Sequence, residues 1–241
     1  MLTVLMLAML LVAPHLPRPQ SLAQLRIAIY ATHAAWFALL VGLAAQATSW
    51  WHAPRTRLAF AIAGTFTVAM ACNVAALPVP ADLAKAWFGI LAGAAFVRVV
   101  ERPWWLLPIS VCVPLADAWS VYSSRGVTKA VIDKGREEPR WIEWPTIATP
   151  ISGAPYAAFG RIGTVDVLFL ALFIAVATRW SLGVRRTAVA MWCGLMLTSV
   201  TVFELDDLAI PALPMLCVAF LVVQLPALVR DARDASRGPA S

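Results

Sequence analysis

Two of the thirteen acidic residues in this 241-residue chain lie inside apolar runs. Asp117 sits in Pro114-Leu-Ala-Asp-Ala-Trp-Ser-Val-Tyr122, and Asp166 in Gly163-Thr-Val-Asp-Val-Leu-Phe-Leu170. The other eleven fall in polar connections, at the edges of apolar runs or in the C-terminal tail. An acid held in hydrocarbon costs about 2.5–3.5 kcal/mol on insertion scales, so a function or a partner usually accounts for it. Two carboxyl groups a few ångströms apart in a low-dielectric site cannot both ionise cheaply, and they hold one proton between them. The ionised member can then take a proton from water while the protonated member polarises a carbonyl oxygen. This is hydrolytic chemistry, and it needs no nucleophilic side chain, metal or cofactor. Proton or ion translocation, or hydrogen bonding between helices, would use the same two residues. Spacing alone leaves all three open.

The elements that must position these acids are membrane helices. Hydrophobic residues make up 61% of the chain and charged residues 13%. The mean hydropathy is +0.77, more apolar surface than a soluble domain of this length can bury. Runs of about twenty apolar residues recur, each long enough to cross the hydrocarbon core. Backbone groups in lipid must be paired within the protein, and continuous rather than alternating runs select helices over a barrel. The expected fold is therefore all-α: a polytopic transmembrane bundle of about eight helices, with seven to nine as the range. The runs are Leu2–Pro14, Leu22–Ala45, Leu58–Pro78, Ala81–Val100, Pro103–Tyr122, Ile162–Trp180, Thr187–Phe203 and Leu208–Val229. They divide the chain into N-terminal helices 1–122, an extramembrane loop 123–161, C-terminal helices 162–229 and a charged tail 230–241.

In the loop, Gly126–Gly135 predicts a short amphipathic turn of helix. The prolines and tryptophans after it predict irregular chain at the membrane interface. The net charge of +6 would suggest nucleic acid in a soluble protein, but the basic residues cluster in short connections, where membrane orientation explains them better. Arg55, Arg57, Arg98, Arg102, Arg179, Arg185, Arg186, Arg230, Arg233 and Arg237, mostly in short connections, favour the face opposite the long loop as cytoplasmic, against Arg18, Lys85, Arg125, Lys129, Lys134, Arg136, Arg140 and Arg161 on the loop face. The four cysteines show no CxxC spacing and the three histidines no HExxH frame, so no metal site is expected.

Depth brings the two acids together. Asp117 precedes the loop by about six residues and Asp166 follows it by about five. At roughly 1.5 Å per residue, both lie about 7–10 Å below one membrane face. Their helices are consecutive and antiparallel, and side-by-side packing is the default. A third feature enters at the same face, where the last span opens with Asp206-Asp-Leu-Ala-Ile-Pro-Ala-Leu-Pro214. Pro211 and Pro214 remove backbone donors there and are expected to free carbonyls around Asp207 and Ile210 for an extended peptide. A plain helix-start proline is the common alternative.

Asp117, Gly163-Thr-Val-Asp166 and Pro211-Ala-Leu-Pro214, in that order, resemble the presenilin and signal peptide peptidase family of intramembrane aspartyl proteases. Asp117-Ala-Trp-Ser-Val121, Gly126 beyond it and Arg161-Ile-Gly163 are also similar to presenilins. The resemblance covers roughly residues 110–225. It departs at Ala116, where the family usually has Tyr, and at Val165, where its Gly-x-Gly-Asp motif has Gly. The resemblance implies a presenilin-like bundle that hydrolyses peptide bonds within transmembrane segments of other proteins. Asp117 and Asp166 would be catalytic, and Gly163, Pro211, Ala212 and Leu213 would contact substrate. It implies no cofactor and no nucleic acid. The partners would be transmembrane protein or peptide substrates and the lipid bilayer, at the cell membrane. A proton-coupled membrane transporter and a catalytically inactive presenilin-like scaffold are the alternatives.

Overall fold

The computed structural model describes residues 1–156, 159–205 and 211–236. Its first helix, α1 (Leu2–Val12), is followed by α2 (Leu22–Gln46), α3 (Arg55–Val74), α4 (Pro78–Phe96) and α5 (Leu106–Tyr122). The long loop then holds α6 (Val127–Glu137), α7 (Arg140–Glu143), β1 (Thr146–Thr149) and β2 (Gly160–Gly163). The chain closes with α8 (Thr164–Arg179), α9 (Val184–Glu204) and α10 (Ala212–Ser236). Among the described residues six helices are long and apolar enough to cross a membrane: α2 to α5, α9 and α10. The protein is thus a multi-pass helical membrane protein. Each of the eight apolar runs forms a helix, but α1 and α8 have only 11 and 16 residues. At about 1.5 Å per residue, α8 spans less than the roughly 30 Å hydrocarbon core.

Local signals explain the boundaries. Ser21 caps α2 by accepting the Gln24 amide hydrogen at 3.2 Å. Pro78 opens α4, where its missing amide hydrogen has no helical partner to lose. On the face away from the loop, arginines close helix ends, and the fringe expected from charge is structural as well. Arg179 donates to the Val97 and Val100 carbonyls at 2.6 and 2.8 Å, just past the end of α4. Helix α10 continues into the charged tail, through Arg230–Ser236. Asp231 holds that end by accepting the Trp104 amide hydrogen at 3.3 Å, before α5.

Helix α4 organises the bundle. It packs most extensively against α8, through a small-residue stripe that includes Gly89 and Gly93. A Cβ at position 93 would stand 2.4 Å from the Leu168 carbonyl oxygen and 2.8 Å from the Ala171 Cβ. Because α8 is taken up by α4, the expected side-by-side packing of α5 and α8 does not occur. Instead α10 packs against both, and α5 and α8 touch each other little. Gly93→Val is expected to destabilise the bundle by about 3 kcal/mol, since the clash is with backbone that cannot yield. Gly64→Ala on α3, where an added Cβ meets nothing within 4 Å, should be neutral or slightly stabilising. Denaturant midpoints in detergent micelles check the pair.

The loop 123–161 is more regular than its prolines suggest, and it makes the bundle not purely helical. The amphipathic stretch extends to the 11 residues of α6. The proline-rich part forms an antiparallel hairpin, with Thr146 opposite Gly163 and Thr149 opposite Gly160. The prolines fall outside its strands, at Pro145, Pro150 and Pro155, where they remove no ladder donor. Ile147, Ala148 and Ile162 are buried, so the hairpin belongs to the core rather than to a surface linker.

Candidate active site

Asp117 stands one turn beyond Pro114 in α5. Proline offers no amide hydrogen to the carbonyl four residues earlier, that of Ser110, so the helix ladder is interrupted just before the carboxyl. The end of α5 is tied to α6, because Ser120 Oγ accepts the Thr128 amide hydrogen at 3.0 Å and lies 2.7 Å from Thr128 Oγ1. This tie sets the apolar face of α6, with Val127, Val131 and Ile132, into the wall of the cavity that Asp117 lines.

Asp166 is the third residue of α8, and its Oδ2 accepts the Gly163 amide hydrogen at 2.9 Å. That bond is half of a capping box and would stabilise any helix start. A Cβ at position 163 would stand 2.8 Å from the same oxygen, so the close approach that glycine permits is that of the Asp166 carboxyl itself. What sets this cap apart is its surroundings. Asp117 of α5 and Asp166 of α8 line one and the same cavity.

The cavity measures about 540 Å³ and lies at the loop-bearing end of the bundle. Asp117, Asp166, Gly163, Pro211, Ala212 and Leu213 all line it, so the structure brings every expected site residue to one space. Residues 206–210 lie outside the described residues, and with them the carbonyls expected to be free around Asp207 and Ile210. Val165 also lines the cavity and is 55% exposed. Ala116 is exposed and does not belong to the lining.

Strand β2 forms another part of the wall. The Thr164 amide donates to the Pro145 carbonyl at 2.9 Å, which sets the alternation of the hairpin. Ile147 with Ile162, and Thr149 with Gly160, bond across the ladder, while the backbone groups of residues 146, 148, 161 and 163 point outward. On the outer edge of β2 the Gly163 amide is used by Asp166. Among the described residues, the outward N–H and C=O of Arg161 at the cavity wall have no backbone partner.

Several neighbours carried only a faint sequence signal. His33, in α2, is buried against the cavity with Nδ1 2.7 Å from Ser199 Oγ of α9. A histidine inside an apolar run was the only clue. Asp82 and Lys85, read as edge charges, form an ion pair of 2.5 Å whose side chains are 1% and 4% exposed. Their opposite charges three residues apart on one helix were a usable hint. Tyr156 donates its hydroxyl hydrogen to Asp82, and burial together with that carboxylate pushes the phenol pKa above its usual value. Tyr156 therefore stays a donor throughout the physiological range. Among the described residues no group of three or more His, Cys, Asp or Glu side chains is placed to hold a metal ion.

No protein-family model matches the chain, and a search of curated proteins gives no match.

Proposed function

We propose that the protein is an intramembrane aspartyl protease, similar in its catalytic arrangement to presenilins, that hydrolyses peptide bonds within transmembrane segments. The observation that carries this reading is the shared cavity. Two acids from different helices line it, together with strand β2 and the residues that open α10.

The chemistry follows from the residues. One carboxylate of the Asp117–Asp166 pair removes a proton from water, and the resulting hydroxide adds to the scissile carbonyl carbon. The protonated partner donates its proton to the carbonyl oxygen, giving a neutral tetrahedral gem-diol. Collapse of that intermediate returns one hydroxyl proton to a carboxylate, passes a proton to the leaving nitrogen and breaks the C–N bond. Water is consumed, and an acid and an amine are released.

A helical substrate hides its carbonyls in its own hydrogen bonds, so it must be extended before it is cut. The outward N–H and C=O of Arg161 support that step, because they can pair with an extended peptide laid along β2. Such a strand runs directly toward Gly163 and Asp166. Much of the remaining wall is apolar, including Phe37, Val121, Leu195, Val202 and Leu213, and suits side chains drawn from a membrane segment.

The test uses purified protein in lipid vesicles with a transmembrane peptide, its products identified by mass spectrometry. The expected outcome is cleavage within the hydrophobic segment, blocked by a hydroxyl-bearing transition-state isostere. Proton flux across the vesicle membrane without peptide cleavage would instead identify a transporter. Neither activity, with no binding of the isostere, would identify a scaffold.

A further inference from the structure

A two-stranded sheet has two outer edges, and either can recruit an extended chain. In this hairpin the outer edge of β1 is already occupied, by side chains rather than by a strand. The Ala148 amide donates to Asp82 Oδ2 at 2.9 Å. Lys85 Nζ donates to the Thr146 carbonyl, and to the Glu143 carbonyl at 2.7 Å. The Ala148 N–H and the Thr146 C=O are the groups that the ladder alternation directs outward from β1. Lys85 spends its third donor on Asp82 Oδ1, and Tyr156 adds a further donor to Asp82 Oδ2. A carboxylate meets the N–H and an ammonium meets the C=O, so one turn of α4 takes the place of a third strand.

A buried ion pair is a poor source of stability, since desolvation offsets much of its attraction. Here it does something an apolar pair cannot. It closes one edge of the hairpin and anchors β1 to α4, the same helix that fixes α8 through Gly93. The strand that would carry substrate and the helix that carries Asp166 are thus both referenced to α4. We propose that Asp82 and Lys85 are positioning residues which leave β2 as the docking edge and set which substrate bond lies opposite Asp166. This inference rests on the proteolytic reading.

Loss of the clamp frees β1, and through it β2, to shift in register or to offer the wrong edge. The test uses the full-length protein in vesicles with one transmembrane peptide. Four proteins are compared: unmodified, Asp82→Leu/Lys85→Met, the reversed pair Asp82→Lys/Lys85→Asp, and Tyr156→Phe. The double apolar variant strands no buried charge but leaves the Ala148 N–H and the Thr146 C=O without partners, so it is expected to fold and to melt somewhat below the unmodified protein. It should cut about tenfold more slowly and replace one dominant product with several, displaced by one to two residues. The reversed pair should behave likewise, because it aims an ammonium at the Ala148 N–H. Tyr156→Phe, the mildest change, should broaden the product set with little loss of rate. Amide exchange at Ala148 should accelerate in all three variants. If a folded double variant cuts the same single bond at the unmodified rate, the proposal is overturned. Should the charge changes prevent folding, an unchanged product pattern and unchanged Ala148 exchange in Tyr156→Phe would overturn it. Absence of cleavage by the unmodified protein instead defeats the proteolytic reading on which this one stands.

Discussion

Asparagine in place of Asp166 is expected to give a protein that inserts and melts normally yet cleaves a membrane-tethered reporter about a thousandfold more slowly. The side chains are nearly the same shape, and the amide oxygen can still accept the Gly163 amide hydrogen that Oδ2 accepts now at 2.9 Å. The helix start is therefore retained while the ability to carry a shared proton is lost. Asp117→Asn should fall as far. No side-chain partner holds the Asp117 carboxyl among the described residues, and removing a charge near hydrocarbon relieves a cost instead of adding one. Its melting temperature should stay level or rise. The two losses should not compound, because the acids act as one unit and the double variant is no slower than either single one. Rates and melting curves measured on the same preparations separate this result from misfolding. Cleavage at the unmodified rate in either variant would take that residue out of the chemistry.

The sequence already disclosed the acids because hydrocarbon makes a charge conspicuous. Counting residues inward from the loop was enough to put Asp117 and Asp166 at one depth, and both do line one cavity. The eight apolar runs were legible for the same reason, as each forms a helix. How the helices pack was not legible. Chain order suggests that α5 and α8 lie together, but Gly93 lets α4 approach the α8 backbone so closely that α10 becomes the element between them. Close approach depends on an absent side chain, and hydropathy carries no trace of it.

The hairpin was hidden for a different reason. Its two strands are four residues each and are separated by a loop containing Pro150 and Pro155. No local pattern announces a strand whose outer edge is satisfied by Asp82 and Lys85, sixty-odd residues earlier in the chain. The site thus has a part written in residue types, the two acids and the Pro-Ala-Leu start of α10. It has another part written only in tertiary contacts, the β2 edge and the clamp behind it.

Gly163→Ala tests whether catalysis depends on where the Asp166 carboxyl is held as well as on its presence. The backbone at Gly163, φ −66° and ψ 141°, is open to alanine without strain. Stability should therefore change by no more than about 1 kcal/mol. The new Cβ would lie 2.8 Å from Asp166 Oδ2, inside contact distance, and the carboxyl is the flexible partner that must move. A displacement approaching 1 Å at a catalytic group can lower the rate about a hundredfold. The expected result is a fall of that size in kcat with KM changed less than threefold, because the β2 edge at Arg161 and the apolar wall are left as they are. A rise in KM at constant kcat would mean that Gly163 serves substrate contact, as the family resemblance implies. An unchanged kcat would mean that the carboxyl tolerates displacement, and the hydrogen bond from Gly163 would then be a helix cap and nothing more.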